Sequence, residues 1–294
     1  MLVSFLLLLF ALLLLAQSLQ ARLRAFFQRS PPALFVAPLS LTLLFCFTAM
    51  YYRCLTSPLA LLILVYTFVP TTLPYRGHTL PLSNKRKADL LDLCAILLLW
   101  LPLELSVGAT LVPRPVQAVI HATAYAVAIT LGLVLFLLFR SWDGMKYRLP
   151  TRAVDARNVL LGYIVSFLVL IPLGLYTSFL APPHWPRISW TREGLSFALI
   201  FFGTALPEEI LFRALIQNWF TQQLKHSWSA VVVSALIFGA AHLNNGPGAL
   251  PNWRYMAIAT LAGLIFGTVF LRSTSILASV AVHAGVNLTK HLFF

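Results

Sequence analysis

The sequence predicts an all-α fold, a polytopic bundle of roughly eight to ten transmembrane helices. Three properties of the 294-residue chain support this prediction: 60% of its residues are hydrophobic, its mean hydropathy is +0.86, and only 10% are charged. Soluble domains are closer to half apolar and a quarter charged. The apolar residues are also grouped in runs long enough to cross a hydrocarbon layer of about 30 Å.

The apolar runs locate the helices along the chain. The first run, residues 2–16, could be a cleaved signal peptide, but no Lys or Arg precedes it, whereas Arg22, Arg24 and Arg29 follow it. That order of charges favours a retained helix. The later spans are predicted near residues 33–52, 57–73, 89–105, 115–139, 158–176, 192–224, 228–243, 253–271 and 274–292.

The net charge of +13 comes from Lys and Arg residues that concentrate in alternate loops between these runs. This distribution is typical of the cytoplasmic loops of a membrane protein, and it differs from the basic, aromatic-rich faces that bind single-stranded nucleic acid. We therefore expect the plasma (inner) membrane as location, the lipid bilayer as partner, and no nucleic acid.

A proline-rich loop at residues 177–190 predicts a domain boundary. Residues 1–190 would form an N-terminal transmembrane region of unassigned role with about six spans, and residues 191–294 a C-terminal domain with about four helices. In the first region, Asp89 and Asp92 are predicted to open a helix, where negative charge suits the helix dipole.

The strongest chemical signal in the C-terminal region is the adjacent pair Glu208 and Glu209 within an apolar helix. A charged group at the centre of a membrane helix costs about 2.5–3.5 kcal/mol on insertion scales. Glu209 and Arg213 are four residues apart, so they can neutralise each other on one helical face. Glu208 points about 100° away, towards another span. Pro207 lacks an N–H and is predicted to bend the helix there.

Two later helices carry further polar residues. Phe238 and His242 are predicted to share one helical face, as are His283 and Asn287, which have small residues between them. At about 1.5 Å of rise per residue, Glu208, His242 and His283 all fall within a hydrocarbon layer of about 30 Å, so they can meet.

These side chains support hydrolysis without a protein nucleophile. A desolvated Glu208 can act as general base on a water that His242 orients, while His283 and Asn287 donate to a developing oxyanion. We expect no cofactor. The alternative is a zinc site formed by Glu208, His242 and His283, although the common zinc-peptidase pattern His-Glu-x-x-His does not occur in the sequence.

The order and separation of these residues resemble the three motifs of the CPBP family, the CAAX-protease and bacteriocin-processing or abortive-infection family, which includes the type II CAAX prenyl endopeptidases. The resemblance covers roughly residues 192–292. The matching positions are Glu208-Glu209-x-x-x-Arg213, Phe238-x-x-x-His242 and His283-x-x-x-Asn287.

The resemblance implies an intramembrane endopeptidase that cleaves a membrane-associated or lipidated peptide or protein. In such an enzyme Glu208 and His242 would activate water, His283 and Asn287 would stabilise the oxyanion, and Glu209, Arg213 and Phe238 would support the site. The alternative is a non-catalytic membrane protein on the same scaffold, of the bacteriocin-immunity or adaptor type, that binds a peptide.

Overall fold

The computed structural model describes residues 2–185, 189–246 and 250–294. Arg187 of the predicted boundary loop and Pro247, just after the predicted span 228–243, lie outside these ranges. The chain is 81% helical, and no strand occurs in the part that is described. The predicted all-α fold class is therefore confirmed, and the apolar helices identify a multi-pass membrane protein.

Residue contacts divide the chain into two compact units, Met1–Asp143 and Gly144–Phe294. Short 3₁₀ turns connect several helices of the first unit. The helices of this unit are α1 (Leu2–Leu13), α2 (Gln17–Arg29), α3 (Val36–Tyr51), α4 (Ser57–Thr79), α5 (Lys85–Glu104) and α6 (Gln117–Gly132). α6 continues as a π-helix over Leu133–Phe139.

In the first unit, Asp92 does not have the role that the sequence predicts. Since α5 begins at Lys85, Asp92 lies two turns into the helix and is fully buried. Its Oδ2 atom is 2.8 Å from Nη2 of Arg140, and Arg140 Nε also donates to it at 3.0 Å. Asp92 therefore neutralises an arginine that lies 48 residues later in the sequence. The pattern of residues around Asp92 could not predict this pair.

The helices of the second unit are α7 (Ala153–Tyr176), α8 (Trp190–Gln223), α9 (Ser227–Ala240), α10 (Trp253–Arg272) and α11 (Leu277–Phe293). α7 packs against both α10 and α11, and α9 packs along α10. The hydrophobic core of this unit consists of Leu170, Ile258, Ala262, Phe266, Val269, Ala278 and Val282. The functional division predicted at residues 190 and 191 lies inside this unit and stays a prediction.

Six helices of the described chain are long and apolar enough to cross a membrane, or seven if the bent pair α1 and α2, at 97°, forms one span. The sequence predicts four more: α1, which belongs to the bent pair, α5, which carries several charged residues, and α9 and α11, which have 14 and 17 residues. At 1.5 Å per residue α9 and α11 extend only about 21 and 26 Å, short of a 30 Å layer. The six spans are Pro31–Tyr51, Ser57–Thr79, Arg114–Phe139, Ala153–Tyr176, Trp190–Gln223 and Trp253–Arg272.

Two glycines allow α9 and α10 to approach closely. A Cβ atom added at Gly239 would lie 1.9 Å from Oγ1 of Thr260, and one added at Gly263 would lie 3.1 Å from Cα of Ala235. Small residues at a contact between apolar helices permit this kind of backbone packing. The contact fixes the C-terminal end of α9, which contains Phe238 and leads into the turn with His242.

α8 widens on both sides of the glutamate pair. It has π-helical turns over Phe201–Ala205 and Ile210–Gln217, with one α-helical turn, Leu206–Glu209, between them. Pro207 contributes no N–H, so the carbonyl four residues earlier lacks its α-helical donor at the point where the turns widen. The helix continues across Pro207 as a single span, with π turns adjoining the site where the sequence predicts a bend.

Lys146, which lies outside the spans, holds the turn between α10 and α11. Lys146 Nζ donates to the carbonyl oxygens of Phe270, Leu271 and Ser273 at 2.8–3.0 Å, which caps the end of α10. Burial lowers the pKa of Lys146, and nearby Arg148 acts in the same direction. These hydrogen bonds fix the start of α11, the helix that carries His283 and Asn287.

Candidate active site

Glu209 and Arg213 form the ion pair that their spacing predicts. Arg213 Nε lies 3.2 Å from Glu209 Oε2, and both side chains are fully buried. Arg213 Nη1 donates to Ser234 Oγ at 3.2 Å, and its guanidinium lies 5.1 Å from the ring centroid of Phe238. The arginine thus joins α8 to α9 and packs on the motif phenylalanine.

Glu209 also holds a histidine from another helix. Its Oε1 atom lies 3.0 Å from Nδ1 of His283 on α11. Because Glu209 pairs with Arg213 as a carboxylate, it accepts this hydrogen bond and Nδ1 donates it. The ring is thereby oriented with Nε2 on the other side, 3.8 Å from Oε2 of Glu208. The two adjacent glutamates therefore contact the two nitrogens of one imidazole.

His242 lies in the turn just beyond the end of α9 at Ala240, and not within the helix as its spacing predicts. It keeps its contact with the preceding turn, because Nδ1 lies 2.7 Å from the carbonyl oxygen of Phe238. A carbonyl only accepts, so Nδ1 carries the proton and Nε2 presents a lone pair. A histidine held in this tautomer can accept a proton from water.

Phe238 separates and positions the two histidines. Its ring centroid lies 4.7 Å from that of His242 and 5.9 Å from that of His283. On its other side, His283 stacks on Phe266 at 4.6 Å and 19°. These aromatic contacts restrict both imidazoles to single orientations in an apolar setting.

Glu208, His242, His283 and Asn287 all line one cavity of about 150 Å³ within the second unit. Thr204 and Tyr255 add polar atoms to its wall, while most of the remaining surface is apolar. Arg213 and the fully buried Glu209 lie outside the lining, beyond Glu208 and His283. The structure thus gathers the four predicted catalytic side chains and places the predicted supporting pair behind them.

Sequence reasoning missed the contribution of α7. Tyr163, Ser166 and Leu170 line the same cavity, at intervals that place them on one helical face. They precede the proline-rich loop, and no motif in the sequence marks them. Lys290, one turn beyond Asn287, also lines the cavity and lies 4.5 Å from the ring centroid of Phe179.

The alternative zinc site would use three side chains of this cavity. In the described ranges, no three His, Cys, Asp or Glu side chains are grouped closely enough to hold a metal ion. Glu208, His242 and His283 share a cavity but do not form such a group. Nδ1 of His242 and Nδ1 of His283 bond to Phe238 and Glu209, which leaves only the Nε2 atom of each ring for other partners. Among the described residues these side chains are not grouped as a three-ligand zinc centre, and the metal-free interpretation stays a prediction.

The fold and the site define a multi-pass helical membrane protein with a carboxylate and histidine cluster inside an apolar cavity. Residues 190–289 match the model of a protease family, described as Type II CAAX prenyl endopeptidase Rce1-like. All three motifs lie within the matched segment, which confirms the resemblance to the CPBP family. The family implies CAAX-protease activity and association with the bilayer. Neither the curated proteins nor the solved structures contain a match to the chain.

Proposed function

We propose that this protein is an intramembrane endopeptidase that hydrolyses a peptide bond of a membrane-associated or lipidated protein, in the plasma membrane. The observation that carries the proposal is the shared cavity of Glu208, His242, His283 and Asn287 in the segment that matches the protease family. A cavity with apolar walls and a few convergent polar groups is the usual form of a small active site.

In the proposed reaction, the carboxylate of Glu208 removes a proton from a water molecule. The tautomer of His242 leaves its Nε2 lone pair available to orient this water. The hydroxide attacks the carbonyl carbon of the substrate, and the C–N bond then breaks while protonated Glu208 returns its proton to the leaving amine. The apolar surroundings strengthen each of these electrostatic interactions.

His283 and Asn287 are proposed to stabilise the oxyanion that forms on the substrate carbonyl. They are four residues apart on α11 and line the same wall of the cavity. The carboxylate of Glu209 supports this role because it fixes the His283 ring through Nδ1 and directs Nε2 towards Glu208 and the cavity. Since Nδ1 already donates to Glu209, donation from Nε2 to the oxyanion requires that the ring carry a proton on both nitrogens in this step. Donors fixed in advance contribute most when charge develops in the transition state.

The experiment uses purified protein in detergent or in lipid vesicles. The probe is a fluorescence-quenched, farnesylated peptide that ends in a Cys-aliphatic-aliphatic-X sequence, the form of a prenylated CAAX terminus. We expect cleavage by the wild-type protein and no cleavage by Glu208→Gln. Glu193→Gln, on the same helix about four turns earlier, is the matched control and should cleave normally.

Cleavage by Glu208→Gln at the wild-type rate would remove Glu208 from the mechanism. The non-catalytic alternative predicts a different result: the wild-type protein binds the peptide but releases no product. Mass spectrometry of the products gives the bond that is cut. A second peptide without the farnesyl group measures whether the lipid is required.

A further inference from the structure

The hydroxyl group of Ser166, on α7, has an unusual environment. The residue is 1% exposed, and its Oγ atom makes no hydrogen bond to any described residue. Among the buried side chains of the described chain, it is the one hydroxyl oxygen in this state. Leaving a buried polar group without a partner costs free energy, so such a group requires an explanation.

Helical hydroxyls elsewhere in this unit bond to their own backbone. A serine or threonine inside a helix commonly donates to the carbonyl four residues earlier. For Ser166 that acceptor would be Gly162, yet the bond is not made. The threonines of the second unit that do make it are Thr177, Thr221, Thr260, Thr268 and Thr289, with distances of 2.7–2.8 Å.

Ser166 also lines the cavity that contains Glu208, His283 and Asn287. A serine nucleophile would need a base within hydrogen-bonding distance of Oγ. None of the described residues supplies one, so Ser166 is not placed to attack a substrate itself. A neutral hydroxyl on the wall of an active-site cavity is instead suited to binding, because it can both donate and accept.

We infer that Ser166 binds the backbone of the substrate peptide in this cavity, and that α7 forms a substrate-binding wall outside the family-matched segment of residues 190–289. This inference rests on the proposed function. A peptide bound between apolar helices must find partners for its N–H and C=O groups, since apolar side chains and lipid cannot satisfy them. The hydroxyl of Ser166 would supply one such partner next to the site of hydrolysis.

The test measures KM and kcat for the farnesylated peptide with Ser166→Ala. Loss of one neutral hydrogen bond to bound substrate should raise KM about five- to tenfold and leave kcat unchanged, since the bond is present in both the bound state and the transition state. Ser166→Cys, nearly the same size with a weaker donor, should give an intermediate KM. Ser229→Ala, an exposed serine at the start of α9, is the control and should leave both constants unchanged.

Two further readouts separate binding from structure. Ser166→Ala should unfold at the same temperature as wild type or higher, because the change removes a buried hydroxyl that has no intramolecular partner. A Glu208→Gln variant is expected to bind the peptide without cleaving it. In that background, Ser166→Ala should raise the Kd for the peptide by the same factor as it raises KM.

An unchanged KM and Kd in Ser166→Ala would overturn the inference, and so would a lower unfolding temperature with unchanged Kd. If the wild-type protein cleaves no peptide, the proposed function fails. The Kd comparison in the Glu208→Gln background then still decides whether Ser166 contacts the peptide.

Discussion

The Nδ1 atom of His283 lies 3.0 Å from Oε1 of Glu209, so the second glutamate of the pair connects α11 to α8 as well as neutralising Arg213. Adjacent residues of one helix therefore have different tasks. Glu209 is fully buried among its partners, whereas 22% of the Glu208 side chain is exposed at the cavity.

The first prediction concerns the difference between these two glutamates. Glu209→Gln should lower the free energy of unfolding by about 3–5 kcal/mol, because it leaves a buried arginine without its counter-charge. Glu208→Gln should leave stability nearly unchanged while it abolishes cleavage. Thermal or denaturant unfolding of both variants in the same detergent checks this. Equal stability losses for the two variants would contradict the division of roles.

The second prediction concerns the oxyanion. Asn287→Ala should lower kcat about 10²–10³-fold with little change in KM, since the lost donor acts mainly on the transition state. Asn245→Ala changes the same residue type in the loop after α9 and should leave kcat near the wild-type value. Steady-state kinetics with the farnesylated peptide separates the two constants. A rise in KM alone would assign Asn287 to substrate binding instead.

The third prediction concerns the close contact between α9 and α10. Gly239→Ala places a methyl group against Thr260 and should cost about 1–3 kcal/mol of stability. It should also lower activity, because the backbone that carries Phe238 and His242 must shift. Gly194→Ala is the matched control, since a Cβ there has no atom within 4 Å, and it should be neutral or slightly stabilising. Both effects are read from unfolding and cleavage assays.

The fourth prediction concerns metal dependence. Incubation with 1,10-phenanthroline or EDTA, followed by gel filtration, should leave the cleavage rate unchanged, because the described side chains do not form a three-ligand metal group. The assay includes a zinc peptidase as a positive control for chelation. A loss of activity that added Zn²⁺ restores would favour the site of Glu208, His242 and His283.

The fifth prediction concerns the buried pair of the first unit. Asp92→Ala should destabilise the protein by about 3–5 kcal/mol, because Arg140 would lose a counter-charge that is fully buried. Asp89→Ala, one turn earlier on α5, should change stability by less than about 1 kcal/mol. Unfolding curves of the two variants provide the comparison. A small effect at Asp92 would show that Arg140 finds another partner or water.

Local regularities of the sequence predicted much of this arrangement. The spacing of Glu209 and Arg213 predicted their ion pair, and the polar positions in apolar helices predicted the lining of the cavity. Contacts between distant helices could not be predicted in this way, as Glu209 with His283 and Asp92 with Arg140 show, because no local pattern encodes them. Ser166 was missed for a related reason, since a single serine in an apolar helix has no distinguishing spacing.

The sequence patterns also could not predict where the helices depart from regular α-helical geometry. A helical wheel assumes 3.6 residues per turn, whereas α8 widens into π turns on both sides of the glutamates. The same assumption placed His242 inside α9, although the helix ends at Ala240. Counting apolar runs gave ten spans against six in the described part of the structure, because it included the short helices α9 and α11, the bent helix α1 and the charged helix α5.

The length of α8 has a consequence for how the substrate must be delivered. This helix has 34 residues, about 50 Å at α-helical rise, against a hydrocarbon layer of about 30 Å. The mismatch can be relieved by tilt or by extension of the ends into the headgroup regions. Glu208 lies near the middle of the helix, so tilt, or equal extension at both ends, would leave its carboxylate close to the centre of the bilayer. A scissile bond would have to be drawn to that depth in an extended, locally unfolded segment before it could meet water.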